Sequence, residues 1–179
     1  EFCILTACRS GEARGATWDE IDLVAKTWTI PGERMKANRQ HTVPLSDAAV
    51  DLLKALPRFQ GCNLLFPNRS GKPISDMTVS ATIRRMNEGG EGWLDRHGEP
   101  IVPHGFRSTF RDWASESTAY PGEVVEMSLA HVVKNRVEAA YRRGDLLEKR
   151  RRLMADWCRF LAGAGVQQGD VVTAIRGAK

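Results

Sequence analysis

A chain of 179 residues with 26 Lys/Arg, 22 Asp/Glu and a net charge of +4 suits one domain with a sizeable core. No apolar run approaches the roughly 20 residues of a membrane span, and no signal-peptide pattern is present, so the reading is cytoplasmic with no membrane partner. Cys3, Cys8, Cys62 and Cys158 form no CxxC pair and have no ligand spacing with histidine. They read as reduced thiols, with no metal or other cofactor expected.

The chain opens on "EFCILTACRSGE", without an initiator methionine and as if already inside an element; this reads as a fragment whose upstream part is absent. That opening predicts a helix with Phe2 and Leu5 inward and a break near Ser10 and Gly11. In "GATWDEIDLVAKTWTIP" the β-formers Val24, Trp28 and Ile30, with a reversal at Asp22 and Ala25-Lys26, predict two strands. "ERMKANRQ" is a polar turn and "HTVPLS" a third strand, completing a small antiparallel meander. Ser46 caps "DAAVDLLKAL", which Pro57 ends, and Ser75-Asp76 caps the helix through "MTVSATIRRM". "NEGGEGWLDRHGEP" predicts a flexible loop or short hairpin with His97 solvated.

Pro103 starts "HGFRSTFRDWASEST", in which Phe106, Phe110 and Trp113 predict the buried stripe and His104, Arg107 and Arg111 the opposite face. A helix follows Pro121 and ends at His131, and a further helix carries Tyr141. In "LLEKRRRLMADWCRFLAG" the inward residues are Leu146, Leu153, Trp157 and Leu161, with Lys149 to Arg152 turned outward, solvated or DNA-facing. The sum is an α+β, mainly helical domain with a small three-stranded antiparallel sheet, expected over residues 1–162, and a tail over 163–179 in which "VVTAI" suits a short strand.

The charge is uneven. Residues 1–130 hold 15 Lys/Arg against 17 Asp/Glu, whereas residues 131–179 hold 11 against 5. A polyanion would be drawn to the region around Tyr141 and the Arg142-Arg143 pair that follows it. An isolated tyrosine usually packs its ring and leaves its hydroxyl wet. A phenol that attacks phosphorus needs more: cations on the non-bridging oxygens, an acid for the leaving oxygen, and help in losing a proton with a free pKa of about 10. Arginine forks suit the first task, and lysine or histidine the second. Arg9, Lys36, His104, Arg107, His131 and Tyr141 supply those parts in order along the chain.

"LTACRSGE", "TIPGERMKANRQHTVPLS", "PHGFRSTFRDWA" and "LAHVVKNRVEAAYRRGD" resemble the motifs of the tyrosine recombinases, the phage-integrase family, and most closely those of prophage and genomic-island integrases. The resemblance implies the catalytic-domain fold of that family, without its N-terminal DNA-binding domains. It implies that Arg9 and Arg107 clamp the scissile phosphate, Glu12 orients the cations, and Lys36 protonates the leaving 5′ oxygen, although Lys26 lies nearby. It further implies that His104 assists proton transfer, His131 hydrogen-bonds a phosphate oxygen, and Tyr141 forms a 3′-phosphotyrosyl link. No metal or cofactor is implied. Implied partners are double-stranded DNA attachment sites, a tetramer formed on DNA from a free monomer, and accessory bending or directionality factors at the bacterial nucleoid. Arg142, Arg143, Arg111 and His41 are candidate DNA contacts, His41 being otherwise an ordinary strand residue. The competing readings are a type IB topoisomerase and a non-catalytic DNA-binding regulator.

Overall fold

A computed structural model of the chain describes residues 1–90, 92–95, 97–131 and 144–163. The expected helix carrying Tyr141, its Arg142-Arg143 pair and the tail from residue 164 lie outside the described residues.

Two short helices open the chain, α1 (Phe2–Thr6) and α2 (Ser10–Arg14). The break expected at Ser10-Gly11 falls earlier. Ala7 takes the left-handed conformation (φ 49°) at the end of α1, and the chain turns there so that Ser10 starts a new helix. The meander forms as β1 (Ile21–Asp22), β2 (Thr27–Ile30) and β3 (His41–Pro44), antiparallel in the order β1-β2-β3. Trp28 pairs with both Ile21 and Val43, and Ile30 with His41; Trp28, Ile30 and Val43 point into the core by strand alternation. Val24 is a turn residue instead of a strand residue, 95% exposed, because the Asp22 carboxylate accepts from the Val24 and Ala25 amides and closes the reversal around it.

α3 (Asp47–Ala55) begins where Ser46 Oγ accepts from the Ala49 amide at 3.2 Å, and ends before Pro57. α4 (Met77–Glu88) starts under an Asp76 cap at 3.0 Å. After it, an Asp95-to-Glu99 amide–carbonyl bond and a Leu94–Pro100 bridge close a short hairpin-like loop. α5 (Gly105–Ser117), α6 (Gly122–Ser128) and α7 (Leu147–Leu161) complete the described elements.

The core joins the inner face of the sheet to α1, α3, α5 and α7. Phe110 and Trp113 of α5 meet Trp157 of α7 at ring centroid distances of 5.4 and 5.1 Å, and Trp157 Nε1 donates to the Ile4 carbonyl at 2.8 Å, tying the last helix to the first.

Two expectations about these helices need correcting. On α5 the buried stripe is Arg107, Phe110, Trp113 and Ala114, with Phe106 only half-buried, so Arg107 lies with the aromatics and not opposite them. On α7 the buried residues are Arg150, Leu153, Met154, Trp157 and Cys158, while Leu161 is 39% exposed. Arg150 stands four residues after Leu146 and three before Leu153, on the inward stripe itself. Its Nη2 donates to the Thr42 carbonyl of β3 and its Nη1 to the Asp145 carbonyl at 3.3 Å. Only Lys149 and Arg152 of that run are fully on the outside. Among the described residues no helix is long and apolar enough to cross a membrane.

Candidate active site

Arg9 sits at the start of α2, where its backbone is extended (φ −75°, ψ 147°) and its side chain is free to turn inward. The Glu12 carboxylate accepts from the Arg9 amide at 2.8 Å and from Arg9 Nη1 at 2.7 Å. One carboxylate therefore caps the helix and fixes the guanidinium. Glu12 is itself buried, at 5% exposure.

The loop between β2 and β3 brings Lys36 to the same place. A short 3-10 turn, Gly32–Arg34, shapes it, and the backbones pass closely there: a Cβ at Gly32 would lie 3.2 Å from the Asn38 carbonyl oxygen. Arg34 pins the loop: Nη1 pairs with Glu20, and Nη2 donates to the Glu12 carbonyl. Lys36, exposed, is thus held beside α2. Lys26 is elsewhere: it pairs with Asp47 at 2.5 Å.

His104 caps α5 at the cavity mouth and Arg107 follows one turn later, buried. Arg107 Nη1 donates to the Ala7 carbonyl, and Nη2 to the Leu129 carbonyl at 2.7 Å. Both acceptors lie at left-handed turns, Ala7 at φ 49° and, next to Leu129, Ala130 at φ 52°. Among the described residues no carboxylate forms an ion pair with Arg107. Burial, and then the positive charge of Arg9, push its pKa down, with Glu12 opposing. A buried cation costs several kcal/mol, roughly, unless an opposite charge offsets it, so this guanidinium is electrostatically ready for an anion.

Arg9, Glu12, Lys36, His104 and Arg107 line one open cavity of about 540 Å³, together with Arg34. His131 adjoins it, with Nε2 3.5 Å from Arg107 Nη2. The structure thus brings together all the described residues among those expected to act on the phosphate; Tyr141, Arg142 and Arg143 are outside the description. Arg111 is exposed and bonded through Nε to Glu126 at 2.8 Å. His41 is half-buried behind the site, hydrogen-bonded to the Ser128 backbone, and its pKa is lowered to about 4 by burial and by the charge of Arg150.

A larger cavity of about 670 Å³ lies on the other side of Pro103, among Phe2, Phe66, Ile83, Met86 and Phe106. Arg14 is its one basic lining residue among the described residues, so it suits apolar groups and not a phosphate. Tyr120, one of the chain's two tyrosines, donates its hydroxyl to Asp156 at 2.7 Å, and burial with that carboxylate pushes its pKa well up. A phenol so held is a poor nucleophile.

Sequence reading missed Arg34, the residue that locks the Lys36 loop onto α2, and Glu126, which contacts His131. Arg34 carried a weak signal, standing two residues before Lys36 in the quoted motif "TIPGERMK". Glu126 carried none beyond its place on the helix before His131.

A small three-stranded sheet packs against a helical body, and three guanidiniums, a lysine and a histidine line one cavity with a second histidine beside it. Residues 1–146 match the phage integrase family, and the chain belongs to it. The chain is 42% identical over 172 residues to the prophage integrase IntA of Escherichia coli K12, covering 94% of this chain and 39% of that protein. It therefore spans about two fifths of the length of such relatives. Its fold is shared with the integrase of mycobacterium phage Brujita (TM-score 0.63, 22% identity, 86% of this chain and 48% of that one). It is shared also with a lambda integrase tetramer bound to a Holliday junction (TM-score 0.55, 18% identity, 75% and 40%).

Proposed function

We propose that the chain is the catalytic domain of a site-specific DNA recombinase, which cuts and rejoins DNA strands through a 3′-phosphotyrosyl intermediate to integrate or excise a mobile element. The observation that carries this reading is the shared cavity of Arg9, Lys36, His104 and Arg107, with Glu12 beneath and His131 at the edge.

In the proposed reaction the scissile phosphate occupies that cavity. Arg9 and Arg107 donate to its two non-bridging oxygens and stabilise the charge that grows there as the phosphorus becomes five-coordinate. The Tyr141 oxygen attacks phosphorus as its proton passes toward His104, and the bond to the 5′ oxygen breaks. Lys36 delivers a proton to that oxygen, so the departing strand leaves as a 5′ hydroxyl. The phosphotyrosyl ester retains the energy of the broken bond. Attack by a 5′ hydroxyl of partner DNA then releases Tyr141 and completes the exchange. Glu12 keeps Arg9 aimed at the phosphate.

Arg142, Arg143 and Arg111 are proposed phosphate contacts along the flanking duplex; His41, half-buried at the start of β3 and bonded to the Ser128 backbone, is given no such contact. The tetramer on a Holliday junction described for the lambda relative supports assembly as a tetramer on paired attachment sites. Accessory bending or directionality factors and a place at the nucleoid complete the proposal.

Nicked suicide DNA, which loses a short fragment after cleavage, tests it. The chain should be trapped as a covalent complex, and Tyr141→Phe should bind DNA and trap none. Crosslinking by Tyr141→Phe would show that another residue is the nucleophile.

A further inference from the structure

Glu126 lies near the end of α6, five residues before His131. The end of that helix is a six-residue turn. The His131 amide donates to the Glu126 carbonyl at 2.9 Å and the Ala130 amide to the Met127 carbonyl at 3.1 Å, with Ala130 left-handed at φ 52°. This pair of backbone bonds folds the chain back so that its first and last residues face each other.

The side chains then meet. His131 Nδ1 is 2.6 Å from Glu126 Oε2, and the other carboxylate oxygen accepts from Arg111 Nε of α5 at 2.8 Å. Held from both sides, the carboxylate has one orientation. On the far side of the imidazole, Nε2 faces Arg107 Nη2 at 3.5 Å. Burial raises the Glu126 pKa, but the bonds from Arg111 and His131 outweigh it, and the group is held below the usual carboxylate range. It is therefore ionised at neutral pH.

We propose that Glu126 is a positioning residue for His131: it accepts the hydrogen bond from Nδ1–H, fixes the ring, and leaves Nε2 aimed beside Arg107 at the phosphate. This rests on the recombinase reading, which is what gives His131 a phosphate to meet. In the neutral ring the carboxylate keeps the hydrogen on Nδ1; in the doubly protonated ring it leaves the Nε2 hydrogen for a non-bridging oxygen. Arg111 is the outer member of the chain, holding the carboxylate but never the imidazole.

Outer partners of this kind change activity by about 10–100-fold when removed. Glu126→Ala should slow covalent-complex formation on nicked DNA by about tenfold, with Glu126→Gln, nearly the same shape, losing less. In a His131→Ala background the Glu126→Ala change should have no further effect, because its target is gone. Ring ¹⁵N resonances of His131, recorded without DNA, should report an Nδ1-protonated imidazole, and Glu126→Ala should abolish that preference. Additive rate losses in the double variant, or an unchanged tautomer signature, would overturn the proposal. A wild-type chain that cleaves normally while the losses are additive refutes this role for Glu126 alone. A wild-type chain that forms no covalent link refutes the recombinase reading and this catalytic role together.

Discussion

Among the described residues two arginines are buried, Arg107 at 5% exposure and Arg150 at 1%, and both are satisfied largely by peptide carbonyls from two separate segments. Their surroundings differ. Arg150 spans from β3 to Asp145 beneath the sheet, with the Asp145 carboxylate 3.6 Å away. Arg107 opens on a cavity already holding Arg9 and Lys36, with the Glu12 carboxylate committed to Arg9. A buried cation with its own carboxylate braces the fold, whereas one backed by neutral carbonyls and faced by further cations carries its charge toward whatever anion enters. Burial alone does not tell the two apart; the charge of the neighbours does.

Substitutions can break or sharpen that contrast. Arg107→Lys keeps the charge but loses the fork, and covalent-complex formation on nicked DNA should fall by about 10³-fold while gel-shift affinity stays close to wild type. If Arg107→Lys merely unfolds the chain and leaves the rate per folded molecule intact, the distinction collapses. Arg150→Ala should do the reverse. Urea denaturation should show a loss of about 3 kcal/mol, since the Thr42 and Asp145 carbonyls lose their donor and the Asp145 carboxylate its partner.

His41, next to Arg150, gives a pH test. Its pKa in the folded chain is about 4, below the ordinary histidine value, so the unfolded chain binds the proton more readily. Its contribution to stability is complete above about pH 6.5 and is lost as pH falls toward 4. Between pH 7 and pH 5 the loss should be about 2 kcal/mol, and His41→Gln should flatten that part of a thermal-melt series. An unaltered slope would mean that the imidazole is not held neutral beside Arg150. The smallest effect belongs to Arg151, the next residue along, whose bonds to Glu148 and to the Lys26 carbonyl are both 3.3 Å and near the surface. Arg151→Ala should cost no more than about 1 kcal/mol in the same urea experiment.

The same pair of arginines marks where the sequence was readable. Arg9, Glu12, Lys36, His104 and Arg107 could be named from their motifs and do line one cavity, but their spacing put Arg107 on the outer face of α5, whereas it lies buried with Phe110 and Trp113. The meander was legible from its turn residues and from the alternation of Trp28 and Ile30. Arg150 was not, because three successive arginines read as a wet face, and only the carbonyls of Thr42 and Asp145 make an inward guanidinium tolerable there. Arg34 and Glu126 escaped for a related reason. Each acts on a residue brought close by a turn, Arg34 through the β2–β3 loop and Glu126 through the left-handed Ala130, and helical or strand periodicity does not encode such meetings. Val24 misled because a β-branched residue was weighed above the Asp22 side chain that closes the turn around it.

The acceptors of Arg107 are main-chain oxygens at two left-handed alanines, and this bears on how the domain can be altered. Because these acceptors belong to the main chain, substituting a neighbouring side chain leaves them in place. A change in the path of the backbone at Ala7 or Ala130, such as a proline or a β-branched residue there, would spoil its aim. The aim of this guanidinium is thus written into two corners of the backbone, Ala7 and Ala130, more than into any side chain that faces it.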